Sequence, residues 1–183
     1  MRARVGRPAL LVAVAGAVIA ADQGTKSWAQ ESLASVGRRH VVGPVYFLLT
    51  FNRGAAFSLG SGASPVIEAL AVVLVIAVLW FSGRLAKGAA HPVSLVGFGL
   101  VSGGAVSNLA DRFFRHHHGA VVDFIQLVSW WPVFNVADAA ITVGAVTVAV
   151  VFTFFSVPKR ASPPRAAAGP AVWPATDAAE EVP

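Results

Sequence analysis

Four apolar stretches leave this chain few ways to fold. They run from Ala9 to Ala21, Pro65 to Phe81, Pro92 to Ala110 and Ala139 to Val157. With their flanks, each approaches the roughly 20 residues that cross a ~30 Å hydrocarbon core. Lipid offers no partner to backbone N–H and C=O groups, so a crossing segment must be a helix. The expected fold is therefore an all-α membrane protein with four transmembrane helices, at about residues 8–28, 65–82, 92–111 and 137–157. Composition agrees, since only 13% of residues are charged, against roughly 25% in a soluble domain. Together these spans make one domain, residues 1–157. The remainder, 158–183, holds six of the eleven prolines and reads as a disordered cytoplasmic tail.

The first stretch has a second reading. Arg2, Arg4 and Arg7 precede it and Ala20-Ala21 follow, which also fits a cleavable secretory signal. Asp22 and Lys26 stand one helical turn apart, however, and favour a helix that continues through Trp28.

Charge sets the orientation. With the N-terminus cytoplasmic, the connector 82–91 and the tail are cytoplasmic too, and these segments carry eight of the fourteen Lys and Arg residues. Basic residues mark cytoplasmic loops, so both termini are placed inside the cell. The adjacent Arg38 and Arg39 run against this rule. The sequence pI near 10.8 thus reflects topology and implies no nucleic-acid partner.

Two regions then lie outside. In residues 29–64 a β-branched and aromatic run, Val41-Val42 and Val45 to Phe51, is broken by Gly43-Pro44. It reads as one or two strands at the membrane face, a small β-containing extracytoplasmic region between spans 1 and 2. Residues 111–136 hold His116, His117 and His118 and the pair Trp130-Trp131, which suits the headgroup belt. There is no cysteine, which excludes a disulfide framework, a thiolate nucleophile and a Cys-based metal site. Three consecutive loop histidines make poor metal ligands, so neither metal nor organic cofactor is expected.

Carboxylates at membrane depth cost several kcal/mol unless they face a polar cavity, and by default they mark function. The chain has nine acidic residues, of which Asp22, Asp111, Asp123 and Asp138 lie at or just beyond the outer ends of spans. Asn108, Asp111 and Arg112 share one helix face at i, i+3 and i+4; adjacent in sequence, Asp111 and Arg112 either serve different partners or form a buried ion pair that fixes the third span against the loop. Asp123, between Val121-Val122 and Phe124-Ile125, should have a raised pKa. Asp138 follows Asn135 by three residues in the first turn of span 4, where the helix dipole favours its charged form. Two carboxylates in unlike environments are a recurring device for acid–base hydrolysis. The bland alternatives remain open on the residues alone. Asp123 and Asp138 can cap helix ends or pair with Arg53 or Arg112, and Asp22–Lys26 can be a plain i, i+4 pair. Asn52-Arg53 can be a simple turn, and Glu68 a headgroup-level residue. Buried Asp, Asn and Arg also line transporters and proton relays.

The strings DQGTK (22–26), FNRGAAFS (51–58), NLADR (108–112), VVDF (121–124) and FNVADAAI (134–141) resemble the signature blocks of the lipoprotein signal peptidase (signal peptidase II) family, in its order and spacing. The resemblance covers roughly residues 8–157. It implies a membrane aspartic endopeptidase with Asp123 and Asp138 catalytic. Asp22, Lys26, Asn52, Arg53, Asn108, Asp111, Arg112 and Asn135 would line and order the site, with Asn52 and Arg53 holding the substrate backbone. The implied substrate is a prolipoprotein bearing diacylglycerol on a cysteine and cut just before it. The implied setting is the bacterial inner (plasma) membrane, with membrane lipid around a monomer and the active site near the extracytoplasmic face.

Overall fold

The computed structural model describes residues 6–54, 64–87 and 91–155. These residues form four helices and three strands, in the order α1 (Gly6–Leu33), β1 (Arg39–Val42), β2 (Val45–Asn52), α2 (Ser64–Lys87), α3 (Pro92–Phe114), β3 (Val121–Gln126) and α4 (Val136–Phe155). The tail from Pro158 lies outside the described residues, as does the side chain of Glu68.

Among the described residues, three helices are long and apolar enough to cross a membrane: Gly6–Leu33, Pro92–Phe114 and Val136–Phe154. α2 is 24 residues long; its described apolar part is Val75–Arg84. The outward face of α4 is apolar, with Val143 and Phe154 well exposed. Such a surface marks a face covered by lipid or by a partner, and the length and composition of the helix favour lipid.

α3 is the central helix, packed against α1, α2 and α4. Its small residues, expected to reflect close packing, are what allow this. A Cβ added at Gly103 would lie 2.7 Å from the Ala15 carbonyl oxygen of α1, and one at Gly104 would lie 2.5 Å from the Ala137 carbonyl oxygen of α4. Without a hydrophobic effect between helices in lipid, such backbone approach provides the van der Waals attraction. Between α2 and α3, the hydroxyls of Ser82 and Ser102 are 3.2 Å apart, and Phe81 meets Phe98 edge-on.

The strands expected in the first outer region are present as an antiparallel pair, β1 with β2. Two features differ from expectation. α1 runs on to Leu33, so the loop begins later than residue 29, and a third strand is present. β3, from the second outer region, pairs antiparallel with β2 to give the order β1-β2-β3. VVDFIQ is nearly all buried and so lacks the polar alternation that flags a half-exposed strand. The sheet rests on the end of α1 through Trp28, Phe47 and Phe124, whose rings pack edge-on over buried Ala29 and Leu33. The Phe134 carbonyl accepts from the N–H groups of Phe124 and Ile125, which fixes the entry to α4 against β3.

Candidate active site

The polar end of the bundle is organised around one buried lysine. Lys26, fully buried in α1, places its three donors on Asp22 Oδ2 at 2.7 Å, Asp111 Oδ2 at 2.8 Å and Asn108 Oδ1 at 2.8 Å. An ammonium has three N–H bonds, so none is left over. Burying charge is costly unless every ion is paired and hydrogen-bonded, and both carboxylates meet that condition. Asp22 also accepts from the Ser107 hydroxyl at 2.7 Å and the Ala137 N–H at 2.8 Å. It therefore ties α1 to α3 and to the first turn of α4, beyond a plain pair within α1. Asp111 also accepts from Gln23 Nε2, Arg115 Nε and the Val122 N–H, which docks β3 on α3.

Two aspartates face this cluster. Asp138 sits in the first turn of α4 and makes a reciprocal cap with Asn135: the Asp138 N–H donates to Asn135 Oδ1 at 2.9 Å, and the Asn135 N–H donates to Asp138 Oδ2 at 3.3 Å. This is a capping box with Asn and Asp in place of Ser and Glu. Asp138 Oδ1 accepts from Asn108 Nδ2 at 2.8 Å, so Asn108 bridges Lys26 and Asp138. Asp123, on β3 and 2% exposed, accepts from Asn135 Nδ2 at 2.6 Å and Asn52 Nδ2 at 3.1 Å. Asn135 thus touches both aspartates. Asn52 is aimed at Asp123 because the sheet register sets Thr50 opposite Asp123 and Asn52 opposite Val121, and its Oδ1 accepts the Gly54 N–H.

Burial, and after it the charge of Asp138, push the Asp123 carboxyl up to about 7 from its ordinary 3.8. The Asn52 and Asn135 hydrogen bonds and the Lys26 charge oppose that rise. The raised affinity expected from the apolar neighbours of Asp123 is therefore present. Its largest cause is desolvation, as in other carboxyls held near neutrality for acid–base work.

Eight of the ten expected residues thus form one network: Asp22, Lys26, Asn52, Asn108, Asp111, Asp123, Asn135 and Asp138. Two stand apart. Arg112 clamps loops, donating to the carbonyls of Gly119 at 2.8 Å and Gly54 at 2.6 Å. The ion pairs of Asp111 come from Lys26 and Arg115, so Asp111 and Arg112 serve different partners and the ion-pair reading of the two is corrected. One residue further along the helix, Arg115 stands at i+4 from Asp111, and that spacing was the available signal. Arg53 is exposed and touches neither aspartate. Gln23 and Ser107 also join the network and were missed: Gln23 is a neutral polar residue inside DQGTK, Ser107 lies one residue before NLADR, and neither type of residue has a pattern of its own. Of the three histidines, His117 contacts Gln30 and Phe51, while His116 and His118 have left-handed backbones, as the turn into β3 requires. Among the described residues no three His, Cys, Asp or Glu side chains are grouped to hold a metal.

A membrane-embedded helical bundle that joins two aspartates through asparagines at its polar end fits a membrane aspartic peptidase. Comparison with known proteins makes the class particular. The sequence model of the family described as Signal peptidase (SPase) II matches residues 14–155. The lipoprotein signal peptidase of Mycobacterium avium (strain 104) is 40% identical over 149 residues, covering 79% of each chain. That of Rhodococcus jostii (strain RHA1) is 41% identical over 148 residues, covering 79% of this chain and 72% of the relative. Two solved structures, both bacterial membrane enzymes studied by the in meso method, share the fold. One has a TM-score of 0.65 at 23% identity, covering 83% of this chain and 94% of the other. The second has a TM-score of 0.64 at 24% identity, covering 78% and 91%.

The chain belongs to the signal peptidase II family. It is a membrane aspartic peptidase that cleaves signal peptides, and the transporter and proton-relay alternative is set aside.

Proposed function

We propose that this peptidase removes the signal peptide of diacylglyceryl-modified prolipoproteins by cutting just before the lipidated cysteine, and that Asp123 and Asp138 are its catalytic pair. One observation carries the residue assignment: Asn135 hydrogen-bonds both aspartates at the junction of β3 and α4, so the two carboxyls are held as a unit. A coupled pair shares its proton. The more deeply buried Asp123 is the better place for that proton, because its charged form is the more costly. Asp138 then removes a proton from water as it attacks the scissile carbonyl. Asp123 polarises that carbonyl and later donates to the leaving amine. Neither step calls on a metal or organic cofactor.

The surrounding residues divide by what they touch. Asn52 and Asn135 orient Asp123, and Asn108 orients Asp138. Asp22, Lys26, Asp111 and Arg115 form the charge-balanced base on which these asparagines rest. Arg112 holds the Gly54 and Gly119 turns. Arg53, exposed beside the Asn52–Gly54 turn, is free to meet the substrate backbone.

The same reading places the protein in the bacterial plasma membrane as a monomer with four spans, α2 being the fourth, and both termini cytoplasmic. Residues 1–157 form the peptidase domain and 158–183 a tail. The site then lies near the extracytoplasmic face, because the late turns of α1, the end of α3 and the start of α4 all meet there. The test is a gel-shift cleavage assay with purified protein on matched precursors. The diacylglyceryl-cysteine precursor should be shortened at the bond before that cysteine and the unmodified precursor left intact. Equal cleavage of both would refute the substrate assignment.

A further inference from the structure

The β1–β2 hairpin has features that the peptidase site does not use. Every residue of β1 is exposed, and at the hairpin's end Val41 and Val42 are 44% and 67% exposed. An edge strand with bare valines is an aggregation hazard in water unless something covers it. Basic groups lie immediately beside them. The Arg38 guanidinium stacks 3.6 Å above the Tyr46 ring, and Arg39 follows on the strand. Residues 34–52 contain no acidic side chain. Arg38 and Arg39 are also the pair that violates the distribution of basic charge over the loops. A cation–π contact orients a guanidinium without neutralising it, so Arg38 is held in place with its charge available.

We propose that this hairpin is a docking surface for anionic phospholipid on the side of the membrane that carries the site. Arg38 and Arg39 engage headgroup phosphates, and the Val41–Val42 end enters the boundary between headgroups and acyl chains. Charge complementarity selects this occupant: a basic segment without carboxylates, bearing exposed apolar residues at its end, matches an anionic interface. The neighbouring outer region supports that depth, because Trp130 and Trp131 are both exposed, as in an interfacial aromatic belt. The contact holds the sheet, and with it Asn52 and Asp123, at a fixed height over the bilayer.

The absence of cysteine makes the test direct. A spin label on Val42→Cys is read for depth, by its accessibility to oxygen and to a water-soluble nickel complex, in vesicles of phosphatidylcholine with and without phosphatidylglycerol. A label on Val143→Cys, on the lipid-facing side of α4, is the immersed reference. An arginine close to an anionic surface shifts partitioning about fivefold, so the pair together should shift it about 25-fold at low salt. The Val42 label should therefore sink when phosphatidylglycerol is present and rise again in high salt. The rise should be repeated at low salt by Arg39→Gln and, more fully, by Arg38→Gln with Arg39→Gln. The salt titration on the labelled protein without further substitution guards against a variant that folds poorly. Immersion that ignores lipid charge and salt, or a label open to water in both vesicles, would overturn the proposal. So would spin–spin broadening between copies, or protection seen only after a precursor is added. Depth is read without turnover, so failure of the catalytic assignment leaves this test intact.

Discussion

Replacing Lys26 by methionine removes one charge from the base of the site while keeping most of the side-chain volume. In the intact cluster Lys26 and Arg115 balance Asp22 and Asp111. Asp111 would keep Arg115 and its two neutral donors. Among the described residues, Asp22 would keep the Ser107 hydroxyl and the Ala137 N–H and lose its one ion-pair partner. Breaking a buried pair from one side costs about 3–5 kcal/mol. By the scaling for soluble domains of 150–250 residues, about 2–4 °C per kcal/mol, the melting temperature should fall by about 6–20 °C. Tryptophan fluorescence during heating in detergent micelles measures it. Adding Asp22→Asn to Lys26→Met should restore part of the loss, with a coupling energy of about 1 kcal/mol or more. A second readout separates this from generic damage. The Lys26 charge holds the Asp123 pKa down, so the residual activity of Lys26→Met should keep its protonated form to higher pH than the parent. A variant as stable as the parent, or one whose pH profile does not move, would refute the account of the cluster.

Activity should decline as pH rises through about 7, because the raised pKa of Asp123 means its catalytic proton is lost there. Stability should follow the same sign: the folded state holds this proton more tightly than the unfolded chain, so this group's contribution weakens from about pH 4 to about pH 7. Asn52→Ala removes a hydrogen bond to the charged form and should move the decline to higher pH, in kcat/KM profiles on a lipidated precursor. Gly104→Ala should cost about 1–3 kcal/mol by overpacking, since its Cβ meets the Ala137 carbonyl oxygen at 2.5 Å. Gly16→Ala, with open space around it, should be neutral or mildly stabilising in the same melting experiment. Incubation with EDTA should leave turnover unchanged, and a loss that zinc restores would count against an aspartyl mechanism.

The helices were legible because lipid imposes a length and a composition that few other folds require. The first two strands were legible through Gly43-Pro44 and the β-branched run around it. β3 was not, because a strand buried on both faces looks like any short apolar run. At the site, the carboxylates and asparagines announced themselves as polar groups at membrane depth, and the motif spacing ordered them. What sequence alone could not assign was pairing. Asp111 has Arg112 beside it and Arg115 one turn away, and helix geometry sends the first toward the loops and the second back along its own face. Nor does Asp22–Lys26 disclose that its lysine completes a set of partners on α3, since that depends on the close approach that Gly103 permits.

The central claim is that Asp123 and Asp138 act as one acid–base unit, and isosteric amide substitution tests it most directly. Asp123→Asn, Asp138→Asn and the double variant should be purified, checked for folded yield and binding of the lipidated precursor, and assayed under single-turnover conditions. Each single variant should bind normally and lose about 10² to 10⁴ in rate, the range typical of a general acid or base. The double variant should be scarcely slower than either, because groups that act together are not additive. Substantial turnover by either single variant, or losses that multiply in the double, would contradict the account.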